Sequence, residues 1–236
     1  MNNYRIFIHY LLDLLRDYLH QPKILKYLLN LNLKVAFDIG AYEGETLEYL
    51  LKIKSIDKIY SFEPQILSYN KMIKIYDFNN RIILNNLALS NNSEDKVFFI
   101  NTLTSTSSFS HLDDNSLWLK IKNIILNEKN SIKNSIILKT STIDSYVNEN
   151  DIDKIDLLKI DTEGHEFQVL MGAKKTINEN KIGYILIEIH SSKMYKNYSK
   201  SKIEEFLKKN NFTLLKSFKF PLHPFVDNLY KYNKLS

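Results

Sequence analysis

The sequence predicts an α/β fold built on a mostly parallel sheet, and three observations carry that prediction. Short apolar runs rich in β-branched and aromatic residues alternate with amphipathic runs of helical spacing. Two of the apolar runs end in glycine-bearing, acidic turns, "FDIGAYEG" and "KIDTEGHE". There is no internal repeat and no linker rich in proline or glycine, so the 236 residues read as one domain.

Residues 1–32 form an N-terminal helical extension. In "MNNYRIFIHYLLDLLRDYLHQ", Ile8, Leu11, Leu12, Leu15 and Leu19 recur at helical spacing. His9, Asp13, Arg16 and Asp17 interrupt the apolar run and no small-residue cleavage site follows, so an amphipathic helix fits better than a secretory leader. It is too polar to span a bilayer. Packing on the domain or on a second subunit, as the face of a homodimer, is the plain expectation; a membrane-surface role is the sharper alternative. Pro22 suits the first turn of a second helix over about residues 22–30.

The core, residues 33–236, opens with "KVAFDI", a buried strand ended by Gly40, and continues into the helix "ETLEYLLKI". "KIYSFEP" is a strand stopped by Pro64, "ILSYNKMIKIY" a helix, and "RIILNNLALS" holds a third strand. This rhythm gives parallel strands with right-handed crossovers. "DKVFFIN" adds a strand, the stretch 102–115 is a Ser/Thr-rich loop, "SLWLKIKNIILNEKN" is helical, and "SIILKT" is extended; about 102–134 is a variable insertion. The alternation resumes with "KIDLLKID", a helix through "EFQVLMGAKKTINEN", the strand "IGYILIEIH" and the helix "SKIEEFLKKN". "FTLLKSFKF" and "FVDNLYKYN" close the chain as an antiparallel pair.

The formal charge of +5 is spread along the chain rather than gathered on one element, which argues against a nucleic-acid partner. The absence of cysteine excludes disulfides, thiolate metal sites and cysteine nucleophiles. A cytoplasmic location is expected.

A strand ending Asp38-Ile39-Gly40, a turn through Ala41, Tyr42 and Gly44, and a helix from about Glu45 make a place for a nucleoside ligand. Glu63, before Pro64 at the end of the next strand, lies beside that turn, where a carboxylate takes the two hydroxyls of a ribose. The dinucleotide spacing G-x-G-x-x-G is absent, and Glu43 and Glu45 crowd the helix start with negative charge. That repels a pyrophosphate and tolerates a cationic ligand such as S-adenosylmethionine. In "LLKIDTEGHEFQVLMGA", Asp161, Glu163 and His165 fall at the carboxyl end of a strand, and "IEIH" brings Glu188 and His190, which share a face, to the same edge.

"FDIGAYEG", "FEP", "NLALS", "TIDSY", "DLLKIDTEGHE", "VLMGA" and the strand ending "IEIH" resemble, in that order, the motifs of FkbM-type S-adenosylmethionine-dependent methyltransferases. The resemblance covers about residues 33–191, with Thr162 where the family usually has Val. It implies a class I methyltransferase fold: a Rossmann-like, seven-stranded mixed sheet with its last strand antiparallel and helices on both faces. It also implies methylation of hydroxyl oxygens on sugars or small natural products. By position, Asp38, Gly40 and Gly44 would hold the methionine end of the cofactor, Glu63 the ribose, and Asn86 and Ala88 would border the adenine.

Methyl transfer to a hydroxyl gains from a general base, and the candidates are His165, His190, Asp161, Glu163 and Glu188. His165 suits neutral pH, with capping of the helix start as its plainer role. Asp161 is read as a cofactor or acceptor contact, Glu163 as an acceptor contact, and Glu188 as orienting a histidine. These carboxylates and a histidine could instead hold magnesium or manganese, although their spacing is not a diagnostic metal signature. His111 would enter the site only if its loop closes as a lid, and Trp118 reads as core. Three alternatives stay open: N- or carboxyl-methylation, a nicotinamide-dependent oxidoreductase, and a non-catalytic nucleoside- or glycan-binding module.

Overall fold

A computed structural model of the protein describes residues 14, 16–113, 116, 120, 131–190, 194–220 and 225–233. Most of the expected first helix, Trp118 and most of "SLWLKIKNIILNEKN" lie outside the described residues. A π-helical turn, Arg16–His20, runs into α1 (Gln21–Leu28), with Pro22 in its first turn. Then follow β1 (Val35–Ile39), α2 (Glu45–Leu50), β2 (Lys58–Phe62), α3 (Ile66–Tyr76), β3 (Ile82–Asn85), β4 (Ala88–Leu89) and β5 (Asp95–Asn101). After β6 (Ile132–Ser141) come α4 (Ile143–Glu149), β7 (Ile155–Ile160), α5 (Glu166–Met171), α6 (Lys174–Asn178) and β8 (Ile182–His190). The chain closes with α7 (Lys200–Lys209), β9 (Phe212–Lys219) and β10 (Phe225–Tyr232).

The main sheet has seven strands in the order β3-β2-β1-β7-β8-β10-β9. The last strand in sequence, β10, is antiparallel to both neighbours and lies between β8 and β9. β1, β2, β3, β7 and β8 are parallel. This is the sheet of a class I methyltransferase. Strand alternation divides the core: Phe37 and Ile39 pack with α4, α5, α6 and α7, whereas Ala36 packs on the opposite face with α1, α2 and α3.

Two features go beyond the sequence reading. β4, β6 and β5 form a second, three-stranded sheet, in which β5 and β6 are antiparallel and β4 pairs parallel to β6. The helix expected through "EFQVLMGAKKTINEN" breaks in two at Gly172, whose backbone packs against the Ser90 carbonyl. Asp144 restarts it, its carboxylate accepting the N–H groups of Lys175 and Thr176 at 2.9 and 2.8 Å. The described part of the N-terminal extension packs on the core: His20 is buried and its Nε2 lies 2.6 Å from Asp227 Oδ2 on β10. None of the helices among the described residues is long and apolar enough to cross a membrane.

The carboxyl ends of β1 and β7 come together without space for a side chain. Gly40 has φ +80°, and a Cβ there would sit 1.8 Å from the Asp161 carbonyl oxygen. Gly40→Ala therefore meets both a left-handed backbone and a backbone clash that no rotamer relieves. Urea denaturation should show a loss of about 3 kcal/mol or failure to fold; wild-type stability would mean that the two strand ends are further apart than described here.

Candidate functional site

The parallel strands open at their carboxyl ends onto a cleft. Its lining combines apolar side chains, Ile39, Phe62, Leu87, Leu89, Phe98 and Phe109, with the carboxylates of Glu63, Asp161 and Glu163. Among the described residues no lysine or arginine lines it.

Glu63, among the lining residues, is buried and held in a fixed orientation. Its Oε2 accepts the Tyr42 N–H and its Oε1 accepts the Gln65 N–H, both at 2.8 Å. Tyr42 reaches it through a left-handed backbone, φ 49°, at the glycine turn. Asn86 Nδ2 donates to the Glu63 and Pro64 carbonyls at 2.9 and 3.1 Å, fixing the loop from behind. Each carboxylate oxygen keeps lone-pair capacity for one further donor, and a ribose offers two. Burial pushes the Glu63 carboxyl up to about 7.

Of the expected cofactor residues, Gly40, Tyr42, Glu63, Pro64, Ala88 and Asp161 line the cleft. Asp38, Ala41, Gly44 and Asn86 do not. Gly44 serves the chain's own packing, since at φ +93° a Cβ would lie 2.4 Å from Tyr76 Cε2. Asp38 is wholly buried beneath the turn, where it meets a residue that the sequence reading passed over, Lys159. The Lys159 ammonium lies 3.2 Å from Asp38 Oδ1, 3.4 Å from Asp161 Oδ2 and 3.5 Å from the Gly40 carbonyl. Burial pushes the Asp38 carboxyl up against the pull of Lys159, while the two aspartates hold the lysine charged, well above its ordinary value. The signal was present: a lysine in the apolar strand "IDLLKI" has to find carboxylates.

The turn after β7 is built around Glu166, fully buried, whose Oε1 accepts the N–H groups of Thr162 and Gly164 at 3.0 and 2.9 Å. That geometry sends Glu163, at φ 54°, and His165 into the cleft wall. His165 packs on Phe109, with its Nε2 2.9 Å from Ser90 Oγ; burial pushes its imidazole down to about 3, so it is neutral at working pH. His190 and Glu188 stand behind Glu163 and do not line the cleft. Burial pushes His190 down to about 4 as well.

The Ser/Thr-rich loop is part of the site, through Ser105, Ser107 and Phe109. It is held over the cleft by Thr104, whose Oγ1 meets the Tyr42 hydroxyl at 2.8 Å, and by Ser108 Oγ, which donates to the Thr162 carbonyl at 2.9 Å. His111 stays outside, its Nδ1 2.7 Å from the Leu112 carbonyl.

The family model described as "Methyltransferase FkbM domain" matches residues 38–214. The hexuronic acid methyltransferase AglP of Haloferax volcanii is 32% identical over 63 residues, which is 27% of this chain and 26% of that protein. Among solved structures, the methyltransferase FkbM from Methylobacillus flagellatus KT superposes with a TM-score of 0.54 at 17% identity, over 85% of this chain and 44% of that one. The methyltransferase domain of bacterial CtHen1-C does so with a TM-score of 0.50 at 11% identity, covering 90% of this chain and 96% of that domain. The chain thus spans about a quarter of the curated relative and less than half of the Methylobacillus chain.

The Glu63 carboxyl, raised to about 7, is ionised above that pH and protonated below it. A ligand hydroxyl donates best to the ionised form. Were Glu63 to accept a ribose, affinity for a nucleoside ligand such as S-adenosylhomocysteine should fall as pH drops below about 7, by at most about tenfold per unit, and level off above about 8. Calorimetric titration across that range checks this; equal affinity throughout would remove Glu63 as an acceptor for the ligand.

Proposed function

The chain belongs to the FkbM methyltransferase domain family, and from that premise we propose that it transfers a methyl group from S-adenosylmethionine to a hydroxyl oxygen of a sugar or small natural product. The observation that carries this reading is the cleft's lining: apolar side chains, an anchored carboxylate at Glu63 and the further carboxylates Asp161 and Glu163, with no lysine or arginine among the described lining residues. A base packs on apolar walls, a ribose donates to an anchored carboxylate, and sulfonium and ammonium charges suit acidic groups. A pyrophosphate would meet those carboxylates and, among the described lining residues, no cation. When bound, the cofactor supplies a methyl group already activated on sulfur.

The residues then have separable tasks. Phe98, Phe109 and Leu89 exclude water around the base, and Glu63 sets the ribose. Lys159 holds the ends of β1 and β7 in register through Asp38 and Asp161. Asp161, whose side chain is 32% exposed in the cleft, takes the acceptor's proton as the carbon–oxygen bond forms. His165, buried against Phe109 with Nε2 on Ser90, serves as a neutral hydrogen-bonding wall. The acidic lining also favours a neutral hydroxyl over a carboxylate as the acceptor, because a carboxylate would face Asp161 and Glu163. The hexuronic acid in the name of the Haloferax relative supports a sugar as acceptor class, and because that sugar bears both hydroxyls and a carboxylate the name does not choose between them.

Titration calorimetry with S-adenosylhomocysteine beside NADH tests the cofactor. The homocysteine compound should bind and NADH should not, and Glu63→Ala should weaken binding by about 10- to 100-fold, the equivalent of one or two charge-assisted hydrogen bonds. NADH binding with no binding of the homocysteine compound would overturn the reading.

A further inference from the structure

We propose that Glu163, Glu188 and His190 bind a divalent cation beside the cleft. Each of the three offers a ligand atom, and these atoms lie within 4.8 Å of one another. Their arrangement comes from two elements: alternation puts Glu188 and His190 on one face at the end of β8, and the turn after β7 carries Glu163 to them through a left-handed backbone. His190 Nε2 is 3.5 Å from Glu188 Oε1 and 3.9 Å from Glu163 Oε2.

The independent observation is the state of His190 itself. It is 2% exposed, yet among the described residues neither ring nitrogen has a hydrogen-bond partner. A buried imidazole is normally satisfied, and one that faces two carboxylates would be satisfied by a cation held between them. Glu188 is buried too, its Oε1 3.5 Å from His190 Nε2. Among the described residues, Lys159 is held by Asp38 and Asp161, and His20 by Asp227. The Tyr195 hydroxyl donates to Glu163 Oε2, orienting that carboxylate in the manner of a metal's outer shell. Two carboxylates and one imidazole leave coordination positions open, and the mixed oxygen and nitrogen donors suit manganese(II) better than an all-oxygen ion such as calcium.

Glu163 also lines the cleft, so through that carboxylate an ion held there would border the acceptor's end of the site. The role rests on the methyl-transfer reading. An ion-bound hydroxyl is more acidic and passes its proton to Asp161 more readily. The oxygen lone pair forms the bond to carbon, and the carbon–sulfur bond breaks with its electron pair going to sulfur.

The test is manganese titration of the chelator-treated full chain, read by electron paramagnetic resonance as loss of the free-ion signal. One ion per chain should bind, and Glu188→Gln and His190→Gln should each weaken binding at least about tenfold. Glu179→Gln, an exposed carboxylate elsewhere, should leave it unchanged. Thermal unfolding establishes that the variants are folded. No binding to the folded wild type, or equal binding in all variants, overturns the site. Titration with S-adenosylhomocysteine in metal-free samples separates the two readings. Normal binding of that compound without a manganese site overturns only the cation; failure to bind it in the wild type overturns the cofactor reading while leaving the manganese result to stand.

Discussion

A single ammonium group, that of Lys159, holds together the place where the chain does its chemistry. It is buried between Asp38 on β1 and Asp161 just past β7, and it touches the carbonyl of Gly40. Three polar groups from two adjacent strand ends thus converge on one charge. Breaking a buried pair by removing one partner is costly, because the remaining charge has nowhere to go. The strand ends are consequently fixed to each other, and Gly40 is the residue that lets them come so close. The rest of the cleft is referenced to that junction. The turn after β1 carries the Tyr42 N–H to Glu63, and the turn after β7 carries Glu163 and His165 into the opposite wall.

Burial then sorts the titratable groups. Glu63 and Glu166 are pushed up to about 7, and His165 and His190 down to about 3 and 4. The two imidazoles are therefore neutral at working pH. For stability the signs oppose. The histidine contributions are present above their unfolded value of 6.5 and are lost as pH falls through about 4 and then about 3. Those of Glu63 and Glu166 are present below 4.5 and are lost as pH rises through about 7. At neutral pH the free site thus carries carboxylates that gain from a ligand's donors and positive charge.

Much of the sheet was legible because its strands are apolar, short and punctuated. "KVAFDI" followed by glycine and "KIYSFEP" followed by a charged, helical stretch admit few other readings. The closing antiparallel pair was legible for the same reason. The second sheet was not, since "LALS" contributes only the two-residue strand Ala88–Leu89 and pairs with a segment some fifty residues away. Nor was the break at Gly172, which depends on a contact with Ser90 that no local pattern encodes. Within the site, the acidic turns and Glu63 stood out. The packing of Gly40 on Asp161 and of Gly44 on Tyr76 was not legible, because it joins residues distant in the sequence. Lys159 was hidden because an alternating strand reading treats one lysine as a solvated side chain. Phe109 was hidden in a loop whose composition suggested only solvent.

The most direct test of this arrangement is a titration of Lys159→Met with S-adenosylhomocysteine, alongside its unfolding curve. Methionine keeps the length of the side chain and removes the charge, leaving Asp38 and Asp161 to face each other. Stability should fall by about 3 kcal/mol and affinity by about tenfold or more, with stability partly recovered in the double variant Lys159→Met, Asp38→Asn. Wild-type affinity and stability in the single variant would contradict the view that this one charge organises the cleft.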